Sequence, residues 1–400
     1  MLLWLQYTYK EQLVIPLASK VAQLADLKAP FAQAWLQPGD QARRWKERGG
    51  RVMGVFWDYV PEELVHAAGF LPYRILGSTE NISEADRYMP TYVCALMRTS
   101  LDEALKGKLA FLDGLVVAPL WCEAMRPLWE LWRNHAPSPW MEALDLPGVT
   151  EPDAFPYFAR EISRFKESLE ALNGREVTLQ ALAASIRLYN EGRHLLKRLF
   201  HLRQGRLSSL SSLEWAQVVL SSMVMPKEEH NRHLARLVEY LADTPEDEGA
   251  GPLRFHLTGT IVVDLNFFQV IDEAGAAVTS DDLYTGTRWY WDLVDESLPP
   301  MDGIIQRYWA KLPCPARSMP RVRLAQVLEF LELGRGQGAI ILTEKHCDPH
   351  IFDDPLLKSR LEERGIPCLQ LESELALRGV GQFRTRLQTF VEMVRSGEKP

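Results

Sequence analysis

Two runs of residues constrain this chain more than anything else in it. Leu112 to Pro119 and Gly338 to Leu342 are apolar almost without interruption. A strand with one wet face alternates apolar and polar residues. A run without alternation must be covered on both faces, as in a parallel sheet flanked by helices. Each run is followed by helix-forming sequence, and the same alternation recurs around it. In the first half, Arg51 to Phe56 reads as a strand. Pro61, Glu62 and Glu63 then open a helix that stops at Gly69, and Leu71 to Leu76 reads as the next strand. A helix over 96–105 precedes the first apolar run, and another over 123–132 follows it. In the second half the expected strands are 254–263, 276–279, 338–342 and 366–371. Helices are expected at 270–274, 356–363 and 381–395, and a loop at 280–287.

Between these halves, residues 157–243 hold little Gly or Pro and much Leu, Ala, Glu and Arg. They read as three or more helices broken near Gly174, Gly205 and Pro226, closed by the linker TPEDEGAGP at 244–252. Residues 1–48 read as helical, with breaks at Pro30 and at Pro38-Gly39. The fold class is therefore α/β. Two open parallel-sheet (Rossmann- or flavodoxin-like) domains, 49–156 and 251–400, are joined to a helical N-terminus, 1–48, and a helical middle segment, 157–250. At 400 residues the chain is long enough for two or three such units.

Charge excludes some functions. With 45 basic against 53 acidic residues the net charge is -8, and the pI is near 5.7, against the basic excess of a nucleic-acid binder. No apolar run approaches a membrane span. The N-terminus, MLLWLQYTYKEQ, has no basic stretch before its apolar residues and no small-residue cleavage site after them, so no secretory leader is expected. The expected setting is cytoplasmic.

The five cysteines are Cys94, Cys122, Cys314, Cys347 and Cys368, too few for a disulfide framework. Neither CxxC nor HExxH occurs. In open α/β sheets ligands bind beyond the carboxyl ends of the strands. Cys122 and Cys347 follow strands 112–118 and 338–342, and Cys94 lies just before a helix. Cys368 begins a strand and belongs to the core. The spacing leaves two readings open, a shared metal site or unrelated buried thiols. Soft sulfur ligands would favour iron–sulfur or zinc over magnesium or calcium. Three thiolates would leave one corner of a cubane without a protein ligand.

A resemblance weighs on that choice. The run Val60-Pro61-Glu62-Glu63-Leu64-Val65-His66-Ala67-Ala68-Gly69-Phe70-Leu71-Pro72 is followed in order by Ala85-Asp86-Arg87-Tyr88, Cys94, Leu112 to Val117, Cys122 and Arg126. Then come Leu188-Tyr189-Asn190-Glu191 with Arg193, Glu273-Ala274-Gly275, Asp281-Asp282-Leu283 and Thr285-Gly286-Thr287-Arg288. Pro313-Cys314-Pro315, Cys347-Asp348-Pro349 and Gly381-Gln382-Phe383-Arg384-Thr385-Arg386 complete the series. From about residue 50 to the end, this resembles the 2-hydroxyacyl-CoA dehydratase and benzoyl-CoA reductase family. The resemblance implies a [4Fe-4S] cluster held by Cys94, Cys122 and Cys347. It implies a homologous second iron-sulfur subunit in a heterodimer, an ATP-hydrolysing iron-sulfur activator protein that injects one low-potential electron, and an acyl-CoA substrate. In dehydratases the thioester becomes a ketyl radical anion that expels the neighbouring hydroxyl as water. In benzoyl-CoA reductases the aromatic ring is reduced instead.

Single residues then carry two readings each. Glu63 is a catalytic proton donor or acceptor, or a dipole complement in the first turn of a helix; Glu62 is expected at the surface. Arg288 binds a CoA phosphate, or braces its loop through carboxylates such as Asp281. His346 tunes the cluster or is merely solvated. Cys314 reads as structural. Trp121, Trp129 and Trp132 shield the cluster segment or simply pack. Arg384 and Arg386 read as surface ion-pair residues. Cys122-Glu123 departs from the Cys-Asp pair common in the family, and three ligands are too few for a fused double cubane. Three roles stay open: a catalytic subunit, an electron-relay partner, or a scaffold without metal.

Overall fold

The computed structural model describes residues 20–118, 122–312, 314–317 and 320–397. Eight strands form two sheets, each four-stranded and wholly parallel. In the first, β1 (Arg51–Phe56), β2 (Phe70–Arg74), β3 (Gly114–Val117) and β4 (Met141–Ala143) lie in the order β2-β1-β3-β4. In the second, β5 (Leu253–Gly259), β6 (Ala276–Asp281), β7 (Gly338–Glu344) and β8 (Cys368–Ser373) lie in the order β6-β5-β7-β8. The two orders are the same, so the halves repeat one topology. β3 and β7, the cores of the two apolar runs, are buried along their full lengths.

The expected α/β class and paired parallel sheets are what the chain adopts. Several bounds differ. β5 stops at Gly259, where 263 was expected, because Thr260 turns out of the sheet toward a cysteine. β4, only three half-buried residues long, carried no strand signal of its own. Pro30 lies inside a helix over 20–36 rather than breaking it. The buried face of that helix, Leu27, Phe31 and Ala34, holds it across the missing N–H. Residues 1–19 of the expected N-terminal helix lie outside the described residues.

The middle segment forms four helices, Phe155–Asn173, Leu179–Arg203, Ser212–Ser221 and Lys227–Ala242. Their breaks come at the expected places. Gly174 closes the first at φ 63°, a conformation other residues rarely adopt. Ser211 and Glu214 form a reciprocal capping box at the third. One contiguous apolar core runs through both sheets and the middle helices. A second, smaller cluster of Val327, Ala339, Ile341, Leu357, Leu361 and Cys368 backs the second sheet. No described helix is long and apolar enough to cross a membrane.

Candidate functional site

In a parallel sheet all carboxyl ends share one edge, and here those edges are stitched to each other. Beyond β1, the Trp57 ring stacks on Tyr284, with centroids 5.0 Å apart and planes 21° off parallel. The Trp57 N–H donates to the Tyr284 hydroxyl at 3.1 Å. Trp57 holds φ 82°, and His346, beyond β7, holds φ 63°. Both are strained for residues with side chains, and both stand at strand ends. The Leu96 N–H donates to the Glu344 carboxylate at the end of β7, 3.2 Å away.

All three expected ligand cysteines sit on this edge, each before a helix. Cys94 caps Ala95–Leu105, and Cys347 caps Asp348–Glu362. The Cys122 carbonyl accepts the N–H of Met125, the first residue of Met125–His135, at 2.9 Å. First-turn amides also point at the sulfurs: Met97 at Cys94, Ala124 and Met125 at Cys122, and His350 at Cys347. The Thr260 hydroxyl donates to the Cys347 sulfur at 3.5 Å. Such donors, at the positive ends of helices, stabilise negative sulfur.

The three thiols lie within electrostatic reach of one another. Cys94 senses Cys122 and Cys347, and Cys347 senses Cys122. Burial comes first in raising all three, followed for Cys94 and Cys347 by the Glu344 carboxylate. Cys94 lies well above the usual thiol value, Cys122 is pushed up to about 11 and Cys347 to about 12. Without a metal they are therefore neutral thiols, and metal binding must release their protons. Among the described residues no three His, Cys, Asp or Glu side chains are arranged to hold a single ion. A cubane spreads its thiolates farther apart than one ion does. Three soft, amide-facing sulfurs from distant segments are donors of the kind an iron–sulfur cluster takes.

Between the helix that follows β1 and the middle helices lies a buried ionic web. Glu62 and Glu63 open the helix Glu62–Ala67, and neither reaches solvent. Glu62 pairs with Arg74 at 2.6 Å and accepts the Trp289 indole N–H at 3.1 Å. The surface position expected for it is therefore wrong: Arg74, buried at the end of β2, needs a counter-ion beside it. Glu63 pairs with Arg193 and accepts the Tyr308 hydroxyl at 2.8 Å. Burial raises its pKa, but Arg193 and Arg307 outweigh that and bring it down to about 2. At neutral pH it is a fixed anion, able to accept a proton and with none to donate. Nearby, Lys311 is 3.6 Å from Asp58 and donates to the Arg288 carbonyl. Desolvation brings its pKa down to about 7.

A family model described as "2-hydroxyglutaryl-CoA dehydratase, D-component" matches residues 58–394. The chain belongs to that family. It is similar to the beta subunit of (R)-phenyllactyl-CoA dehydratase from Clostridium sporogenes, 26% identical over 354 residues, or 88% of this chain and 93% of that one. A subunit of benzoyl-CoA reductase from Thauera aromatica is 26% identical over 366 residues, covering 88% and 94%. The beta subunit of (R)-2-hydroxyglutaryl-CoA dehydratase from Acidaminococcus fermentans is 25% identical over 371 residues, covering 90% and 97%.

The remaining residues of this D-component family chain divide between those that sit as expected and those that do not. Arg288 is buried, and its partners are Asp282 at 3.2 Å and the Gly259 carbonyl at 3.3 Å. Asp281, the partner expected for it, instead accepts the Leu283 and Thr287 N–H groups. A Cβ at Gly286 would stand 1.8 Å from an Asp281 oxygen, so that turn needs its glycine. Cys314 is buried, and the Cys122 thiol senses it. Cys368 sits apart, in the small second core. No disulfide joins any of the five cysteines. His346 is exposed, Trp132 is buried and Trp129 half-buried, while Trp121 lies outside the described residues. Arg384 pairs with Glu273 at 2.8 Å, whereas Arg386 donates to the Gln370 carbonyl. Thr260, Asp58, Lys311 and Tyr308 were not singled out from sequence. Thr260 and Asp58 had one available signal, their place one or two residues beyond a strand that ends at the site.

Proposed function

We propose that this chain is the iron–sulfur subunit of a reductively activated, ATP-dependent acyl-CoA enzyme. The reaction we assign is loss of water from an (R)-2-hydroxyacyl-CoA through a ketyl radical anion, giving the enoyl-CoA. The observation that carries the reading is the placing of Cys94, Cys122 and Cys347 before three helices along one joined strand edge, in a chain of this family. These three residues would hold a [4Fe-4S] cluster. When bound, such a cluster supplies one-electron transfer and an iron able to accept a carbonyl oxygen.

The chain's own groups supply the setting. First-turn amides and the Thr260 hydroxyl steady charge on the sulfurs. The Trp57–Tyr284 stack and the apolar core behind it exclude water from the strand edge. Glu63, ionised, orients Arg193 and Tyr308. Lys311, near pKa 7 and beside Asp58, can hold or release a proton at neutral pH. The partners in this reading are a homologous second subunit, an ATP-hydrolysing iron–sulfur activator and an acyl-CoA, in the cytoplasm.

A second reading, reduction of an aromatic acyl-CoA, is favoured by the likeness to the benzoyl-CoA reductase subunit. One experiment separates the two. The anaerobic complex, with activator and ATP, is given 2-hydroxyacyl-CoA and aromatic acyl-CoA thioesters. Enoyl-CoA from the hydroxyacyl thioesters alone is the expected result. Turnover of the aromatic thioesters alone would overturn the dehydratase assignment.

A further inference from the structure

The opening turns of helix Asp348–Glu362 are built inside out. A surface helix ordinarily buries its apolar side and shows charge to water. The first two turns of this one bury His350, Asp353 and Asp354, and only farther along do Leu357 and Leu361 turn to the small second core. Asp354 accepts the Thr343 hydroxyl at 2.7 Å and the Arg323 guanidinium at 3.0 Å, and Asp353 also pairs with Arg323. The outer face, spaced three and four residues apart, carries Ile351, Phe352, Pro355 and Leu356. Phe352 is 82% exposed, Leu356 43% and Ile351 39%. The inward charges are accounted for by Arg323, which also pairs with Asp282 at 3.1 Å. Among the described residues, nothing accounts for the outward aromatic and aliphatic side chains in the same way.

The position of this face matters. Cys347 caps the helix, and the Ile351 N–H donates to the Cys347 carbonyl at 2.9 Å. At about 1.5 Å rise per residue, Phe352 stands roughly 7 Å along the axis from that cysteine. Tyr92, 72% exposed, lies two residues before Cys94, whose thiol senses that of Cys347. Bare apolar side chains thus flank two of the three cysteines.

We propose that the outer face of helix Asp348–Glu362, around Phe352, docks a second, homologous dehydratase-type subunit. Brief electron-transfer encounters use small interfaces, whereas permanent interfaces are hydrophobic and rich in aromatics at their centre. Phe352 and Tyr92, at roughly 150–250 Å² of burial for each aromatic, would supply a large share of the ~800 Å² that each partner covers in a stable interface. Three of the similar proteins are named as beta subunits, that is, members of larger assemblies. The inference rests on the proposed role as a subunit of such an enzyme, and it adds where the partner sits.

The test uses the intact complex, purified anaerobically through a tag on this chain. Phe352→p-benzoylphenylalanine is irradiated and the cross-linked peptide is sequenced by mass spectrometry. The same label at Leu179, 64% exposed on the middle helices, serves as control. A cross-link from position 352, and none from 179, to a co-purifying subunit matching the same family model is the expected result. Cross-linking to an ATP-hydrolysing activator, to another copy of this chain, or to nothing would overturn the proposal. In parallel, Phe352→Asp should cut recovery of that subunit about tenfold, leaving the melting temperature and iron content of the chain unchanged. An iron-free chain that still cross-links to the homologous subunit would remove the cluster reading and keep the interface. An iron-loaded chain that fails to cross-link would do the reverse.

Discussion

Both oxygens of the Glu63 carboxylate are engaged within the chain, by Arg193 and by Tyr308. Removing it leaves Arg193 as a buried charge without its partner. Glu63→Ala should therefore cost about 3–5 kcal/mol of stability, read by denaturant unfolding, because breaking a buried pair strands the other charge. The double variant Glu63→Leu/Arg193→Met should recover most of that loss. The cysteines make a second prediction at this scale. Cys94→Ala, Cys122→Ala and Cys347→Ala should each lower the iron content of anaerobically purified protein, and Cys368→Ala should not, since it packs with Val327 and Leu357 in a separate core. The sequence made the four cysteines legible because each stands at a strand end, a helix start or a strand start. It did not reveal Glu62 or Thr260. Nothing in the residues adjoining Glu62 shows that Arg74 will be buried against it. Thr260 read as strand because the apolar run Ile261-Val262-Val263 continues past the point where the sheet ends.

Elements with one dominant period were readable, and those under mixed demands were not. β3 and β7 announce themselves by unbroken apolar runs. Helix Asp348–Glu362 starts eight residues before the 356 expected from sequence, for two reasons. Pro349 and Pro355 read as breakers, although the first is harmless in an opening turn. The first two turns bury His350, Asp353 and Asp354, so the inward apolar stripe, Leu357 and Leu361, begins only after them. Arg323 is what makes that polar burial tolerable, since it reaches Asp282, Asp353 and Asp354 together. Arg323→Met should strand Asp353 and leave Asp354 with only Thr343 and His350, while Asp282 keeps Arg288, and lower stability by about 3–5 kcal/mol, with urea unfolding as the check. A loss below about 1 kcal/mol would show that the acids find other partners or water.

At the scale of the whole molecule, buried imidazoles set part of the response to acid. Desolvation brings His230 down to about 3 and His256 down to about 4, and His230 is tied to the Val218 carbonyl at 3.0 Å. The unfolded chain protonates these groups near pH 6.5, while the folded chain refuses the proton until pH 3–4. Their contribution to stability is therefore complete above pH 6.5 and falls as the pH drops through that window. Burial works the opposite way on Glu103 and Glu344, both raised to about 7, and on Asp281, raised to about 6. These take up protons in the folded state and gain stability on acidification. The informative quantity is thus the difference between wild type and His256→Asn. Between pH 6.5 and 4 that difference should change by about 1.4 kcal/mol per pH unit, in favour of the variant as the solution becomes more acid. Unfolding curves across that range read it directly, and parallel curves would remove His256 from the acid response.

The claim on which function rests is that Cys94, Cys122 and Cys347 share one iron–sulfur cluster. Iron and acid-labile sulfide, measured per chain on protein purified without oxygen, test it most directly, with the triple variant Cys94→Ala/Cys122→Ala/Cys347→Ala alongside. The result expected is about four irons and four sulfides per chain in the native protein and essentially none in the triple variant. Native protein without sulfide, or a triple variant that keeps its iron, would contradict it.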